Sequence, residues 1–251
     1  MADRLAQTFT VIAIDLRGYG KSSKPPSDDE HATYSKRAMA QDCVSVMSQL
    51  GFEEFYICAH DRGARVAHRL CIDYPSKVRK AIFLDIAPTL AMYSKTNFAF
   101  AKGYYHWFFL IQDVPYPETL ILGAPEEFMK YQMGARQWQG TSAFTEECYA
   151  SYVAMMKDGA GVHAMCEDYR AAASIDLEHH KADIEAKRHI QCPLLVIWGS
   201  HGMIEQAFDA VKEWQDVSSS TVEGKSFDCG HYIPEEQPDA LLKEILTFFP
   251  T

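Results

Sequence analysis

Four short runs of nearly uninterrupted apolar residues punctuate the chain: FTVIAIDL (9–16), EFYICAH (54–60), KAIFLDI (80–86) and PLLVIWG (193–199). Hydrophobicity that is continuous rather than alternating predicts strands buried on both faces, as in a parallel sheet. A fifth, weaker run is TVEGKSFD (221–228). Between the runs the apolar positions fall at helical spacing, roughly over 35–50, 62–74, 204–216 and 238–249. Strand alternating with helix predicts an α/β fold, a mostly parallel sheet with right-handed crossovers and flanking helices.

From Pro88 to about Arg188 this rhythm stops. The segment is rich in Tyr, Phe, Trp and Met, is broken at PYPE and LGAPEE, and reads as helical throughout. An insertion of this size after a strand end predicts a helical cap, because open α/β sheets carry ligands at the carboxyl ends of their strands. A purely structural helical subdomain is the plainer alternative. The expected organisation is core over 1–88, cap over 89–188 and core again over 189–251.

Composition narrows the partners. With 251 residues, 47% of them hydrophobic, the chain can bury one full core. It carries 34 acidic against 24 basic residues, net −10, with no basic stripe, which disfavours nucleic acid and anionic membranes. A small anionic substrate would then need a local positive pocket. The seven cysteines are scattered without metal-type spacing, and no signal peptide or membrane span is apparent. These features predict a cytoplasmic protein.

The chemistry concentrates in AHDRG (59–63), where a strand run gives way to a helical one. Small residues two positions either side of Asp61 fit a sharp strand-to-helix turn that lifts one side chain above the sheet. A carboxylate there can attack a saturated carbon and form an alkyl ester that water hydrolyses. An Asp capping the following helix is the simpler reading. The hydrolytic step needs a general base, and His231 in FDCGHYIPEE follows the last strand run. The loop Ser200-His201-Gly202 offers no acid to orient it, whereas FLDIAP offers Asp85. The expected triad is Asp61, His231 and Asp85.

Arg62 and Arg65 lie three apart on the helix leaving the turn, so both can face one pocket. Guanidinium groups bind carboxylates through charge-assisted, often bidentate bonds, which suggests a carboxylate beside the attacked carbon. Surface pairing with Asp73 or Glu167 is the alternative.

The motifs DLRGYGKSSKP (15–25), HDRGARVAHRL (60–70), FLDIAP (83–88), YYHWFFL (104–110), EDYRAA (167–172) and GHYIPEE (230–236) together resemble the fluoroacetate (haloacetate) dehalogenases of the α/β-hydrolase superfamily. The resemblance runs through nearly the whole chain. It implies Asp61 as nucleophile, His231 as base, Asp85 as its partner, and Arg62 and Arg65 as holders of a haloacid carboxylate. It further implies that His106, Trp107 and Tyr169 receive the halide, that no metal or cofactor is needed, and that the protein forms a homodimer. Packing within the cap is the commoner use of such aromatics. Epoxide hydrolases share the nucleophile and base and use cap tyrosines, but they typically carry Trp where Arg62 stands.

The resemblance also implies two strands and a third, ending in a His-Gly loop, ahead of residues 9–16. The sequence shows none, so an N-terminally truncated sheet is expected, with unpaired edges on 9–16 and 54–60. The Arg62 N–H would be the sole oxyanion donor, and losing such a donor costs roughly 10²–10³ in rate. His179-His180 lacks metal-ligand spacing and reads as a solvated helix end.

Overall fold

The computed structural model describes residues 1–135 and 138–249. Residues 136–137, inside the expected cap, and 250–251, at the end of the second core segment, lie outside the described residues. The chain divides into two compact units: Met1–Ile14 with Ala40–Pro88 and Lys187–Thr251, and Asp15–Met39 with Thr89–Ala186. Residues 15–39, expected in the core, thus group with the helical insertion.

The first unit is built on a parallel sheet of four strands in the order β1 (Phe55–His60), β2 (Val78–Leu84), β3 (Leu194–Gly199), β4 (Val222–Phe227). Its register explains the apolar runs. Ile82 pairs with Leu195 and Leu84 with Ile197, and these four join Leu241 and Ile245 of the helix Pro238–Phe248 in one buried cluster. The intervening Phe83 pairs with Val196, and its ring packs edge-on against Trp214 at 4.8 Å. Both faces of β2 and β3 are therefore covered, each large aliphatic side chain contributing roughly 1.5–3 kcal/mol by burial. Trp214 is itself fixed by donating from Nε1 to the Ile86 carbonyl at 2.9 Å.

Two strand expectations need correction. Residues 10–16 form no strand. An apolar run can become a strand only where a neighbouring backbone takes its hydrogen bonds, and none of the described strands lies beside this one. β1 forms and, as expected, keeps an unpaired edge, bonded among the described strands to β2 alone; its residues are half-buried rather than covered on both faces, with Cys58 exposed. An edge strand has no second neighbour to cover it. The helical expectation at 204–216 resolves into two short helices, Met203–Ala207 and Ala210–Gln215.

 In the second unit the helix Gly159–Ala173 is the central support, with nine consecutive buried residues over 164–172 and with Gly161 and Val162 buried ahead of half-buried His163. Such burial forces the charged residues of this helix to find partners. Asp168 takes the Lys36 ammonium and, at 2.6 Å, the Tyr19 hydroxyl. Lys36 also reaches Asp176 Oδ2 at 3.3 Å, and its backbone N–H donates to Asp176 Oδ1 at 2.9 Å. Arg170 donates to Glu118 at 2.7 Å, to Glu167 at 2.8 Å and to the Gln112 carbonyl. Glu167 in turn takes the Ser27 hydroxyl and His31 Nδ1.

Tyr19 is delivered by the DLRGYGKS turn. There Gly20 has φ +51°, and an added Cβ would lie 2.2 Å from Asp15 Oδ2. The same network corrects the reading of His179-His180 as a solvated helix end. His180 is buried and His179 lies 3.8 Å from buried Asp176, because the helix Ile175–Glu185 turns Asp176 inward to Lys36.

Candidate active site

β1 runs extended to His60 (φ −119°, ψ 144°) and breaks into the helix Asp61–Asp73 without an intervening loop. Asp61 sits at the break with φ +43°, a left-handed conformation that costs a non-glycine residue energy. Asp85, immediately after β2, has φ +48°. Two carboxylates in disfavoured backbone conformations thus stand at neighbouring strand ends. Gly63 does not fill the role expected of a small neighbour, since a Cβ added there would meet nothing within 4 Å.

His231 lies between the two carboxylates. Its Nδ1 is 2.6 Å from Asp85 Oδ2, and its Nε2 is 3.8 Å from Asp61 Oδ2. Asp85 is fully buried, and its other oxygen accepts the Gly199 N–H at 2.9 Å. With Nδ1 facing a buried carboxylate, Nε2 is the nitrogen turned toward Asp61.

The electrostatics follow from this row. Burial pushes the Asp61 carboxyl up, but the interaction with His231 and the charge of Arg65 outweigh it, holding the group well below the usual carboxylate range. Burial pushes His231 down, yet the two carboxylates overcome it and raise its pKa to about 10. The resting pair is therefore carboxylate and imidazolium. His60 moves the other way, to about 4, through burial and the positive charge of His231. Neutral His60 donates from Nε2 to the His231 carbonyl at 2.8 Å, and the two rings lie 4.6 Å apart.

Arg62 and Arg65 are both buried on the helix that begins at Asp61. Asp73 is met by Arg69 at 3.1 Å and Glu167 by Arg170 at 2.8 Å. Arg65 reaches the Ala87 carbonyl at 3.4 Å.

The sequence matches the family described as alpha/beta hydrolase fold over residues 1–238. The chain belongs to the α/β-hydrolase family. Among curated relatives of this hydrolase is a fluoroacetate dehalogenase of Burkholderia sp, 38% identical over 98% of this chain and 81% of that protein. A soluble epoxide hydrolase of Corynebacterium sp. is 29% identical over 98% of this chain and 82% of that one. Among solved structures, ALR0039 from Nostoc sp PCC 7120 superposes with a TM-score of 0.95 at 50% identity, covering 98% of this chain and 84% of that one.

In the hydrolase's second unit, His106, Trp107 and Tyr169 come together. The Tyr169 ring is 5.8 Å from His106 and 6.3 Å from Trp107, edge-on to both. Trp107 and Tyr169 are buried, and Tyr93, Phe100 and Tyr104 surround Trp107. The ion pairs of Asp168 and Arg170 grip the helix on either side of Tyr169.

Sequence reasoning missed Gly199. A Cβ there would stand 2.0 Å from the Gly230 carbonyl oxygen, so only glycine lets the His231 loop close over the end of β3. The signal available was the glycine ending VIWG. Among the described residues no cluster of three metal-ligating side chains occurs, and no described helix is long and apolar enough to cross a membrane.

Proposed function

We propose that this hydrolase removes halide from a haloacetate or similar short 2-haloacid. Asp61 attacks the carbon beside the carboxylate, the carbon–halogen bond breaks, and an ester forms on Asp61. Water then attacks the ester carbonyl while His231 takes its proton, and the 2-hydroxy acid leaves. Asp85 holds the base.

The observation that carries this reading is the pair of buried arginines on the helix starting at Asp61. Guanidinium groups beside the nucleophile can hold a substrate carboxylate through charge-assisted, often bidentate hydrogen bonds. They also supply positive charge in a chain of net −10. The similarity to a fluoroacetate dehalogenase supports the same substrate class.

The high pKa of His231 fits a two-step course. Esterification removes the negative charge of Asp61, one of the causes that raise His231. The imidazolium then releases its proton more readily and becomes a base for the second step. The roles of His106, Trp107 and Tyr169 rest on the family resemblance. N–H and O–H donors stabilise a departing halide most as its charge develops.

The second reading is epoxide hydrolysis with the same three residues, favoured by the similarity to a soluble epoxide hydrolase. A neutral epoxide gives Arg62 and Arg65 no anion. Halide release from fluoroacetate and chloroacetate, measured beside diol formation from a terminal epoxide, tests the choice. Diol without halide would overturn the dehalogenase reading. A homodimer is proposed on the same resemblance, with exposed Tyr116, Leu120 and Leu122 supplying apolar surface. A monomer in sedimentation at micromolar concentration would refute it.

A further inference from the structure

Three successive residues carry the base on a loop after β4, and a loop holds a side chain only as well as its backbone is held. Here the backbone is tied on both sides of His231. The Gly230 N–H donates to Glu236 Oε2 at 2.7 Å and the Tyr232 N–H to Glu236 Oε1 at 2.9 Å. One carboxylate thus uses both oxygens to bracket the residue between. The His231 carbonyl, between those two amides, accepts from His60 Nε2 at 2.8 Å and from the Ile233 N–H at 3.1 Å. Glu236 ends the short helix Ile233–Glu236, and Gln237 Nε2 donates to the Asp228 carbonyl at 3.0 Å, closing the same loop.

We propose that Glu236 is a positioning residue for the base: it holds the His231 loop through two backbone amides so that the imidazole stays between Asp85 and Asp61. Charge-assisted bonds from backbone N–H groups to a carboxylate are short and strong. They hold the backbone, whereas Asp85 holds only the ring. A ring free to pivot with its loop would lose the Asp85 bond and the line to Asp61 together. His60 completes the brace from the end of β1, tying the backbone next to Asp61 to that of His231.

The proposal rests on the two-step reading of the reaction, and it predicts an asymmetry between the steps. Attack by Asp61 does not need His231 as a base; ester hydrolysis does. Glu236→Gln keeps one acceptor oxygen and sets an amide N–H₂ against the other backbone N–H. Its ester hydrolysis should slow about tenfold or more, while the first halide released in a single turnover keeps its rate. Intact-protein mass spectrometry should then show Asp61 carrying a carboxymethyl group during turnover of chloroacetate. Equal slowing of both steps would mean a merely structural role, and unchanged steps would mean none; either result overturns the proposal.

A second readout needs no substrate. The His231 Nδ1–H proton, bonded to Asp85, should exchange with water about tenfold faster in Glu236→Gln, as followed by proton NMR. Unchanged exchange would refute the brace. His231→Asn separates the two readings: if it fails to trap the ester in an otherwise folded protein, the dehalogenase reading falls. If it traps ester while Glu236→Gln does not, the positioning role alone falls.

Discussion

In the first unit, Asp61 and Asp85 stand at strand ends with φ of +43° and +48°, and their side chains converge on one histidine. In the second unit, Tyr169 sits mid-helix in regular geometry, between an aspartate and an arginine that are each locked in buried ion pairs. The first arrangement spends backbone strain to aim polar groups, and the second spends buried charge to hold an aromatic surface still. Strained residues at strand ends can change without loss of the sheet, whose stability lies in β2, β3 and the helices packed on them. A buried ion pair that loses one partner leaves a charge behind, which is costly. The difference predicts that chemistry and stability separate along the two units.

The largest effect expected is on activity. Asp61→Asn should lower turnover by roughly 10⁴-fold or more, since the proposed attacking carboxylate is gone. Its melting temperature should fall only modestly, because asparagine tolerates a left-handed backbone and His231 can release its proton once the carboxylate is gone. Halide release with a parallel melt checks both, and a large fall in stability would break the comparison.

Next is the opposite case. Lys36→Met leaves Asp168 and Asp176 buried without their ammonium and should cost about 3–5 kcal/mol in urea unfolding. A change below about 1 kcal/mol would show that the ion cluster behaves like a surface pair.

A smaller effect sharpens the site itself. Arg65→Ala should weaken haloacid binding, raising KM about tenfold with a lesser change in kcat, because the proposed role of Arg65 is a carboxylate contact rather than a reacting group. Initial rates against chloroacetate concentration measure the split.

A last comparison lies in the pH dependence of stability. His231 has a folded pKa near 10 against an ordinary 6.5, so its contribution is fully present below pH 6.5 and is lost as pH rises toward 10. Asp61 is depressed, so its contribution is present above 3.8 and is lost as pH falls below that. Melts of wild type and His231→Asn should therefore differ most near pH 6 and converge toward pH 10.

Much of the sheet was legible because β2 and β3 are covered on both faces, and continuous apolar runs state that condition directly. The run at 9–16 carries the same pattern without a strand beside it, and hydrophobicity alone cannot report a missing hydrogen-bond partner. Asp61, Asp85 and His231 were legible because each ends or follows a strand run, where a polar residue interrupts an apolar stretch. Glu236 and Gly199 were not: one acts by accepting backbone N–H groups and the other by having no Cβ against Gly230. The Lys36 cluster joins residues 132 and 140 positions apart, beyond any local spacing rule.

The account turns on Asp61 as the atom donor in the first step. A single turnover of chloroacetate in heavy-oxygen water, with enzyme in excess, tests this most directly. The account predicts that the heavy oxygen enters the Asp61 carboxylate, found in its peptide by mass spectrometry, while the hydroxy acid carries ordinary oxygen. Heavy oxygen in the product of that first turnover, with an unlabelled Asp61, would contradict it.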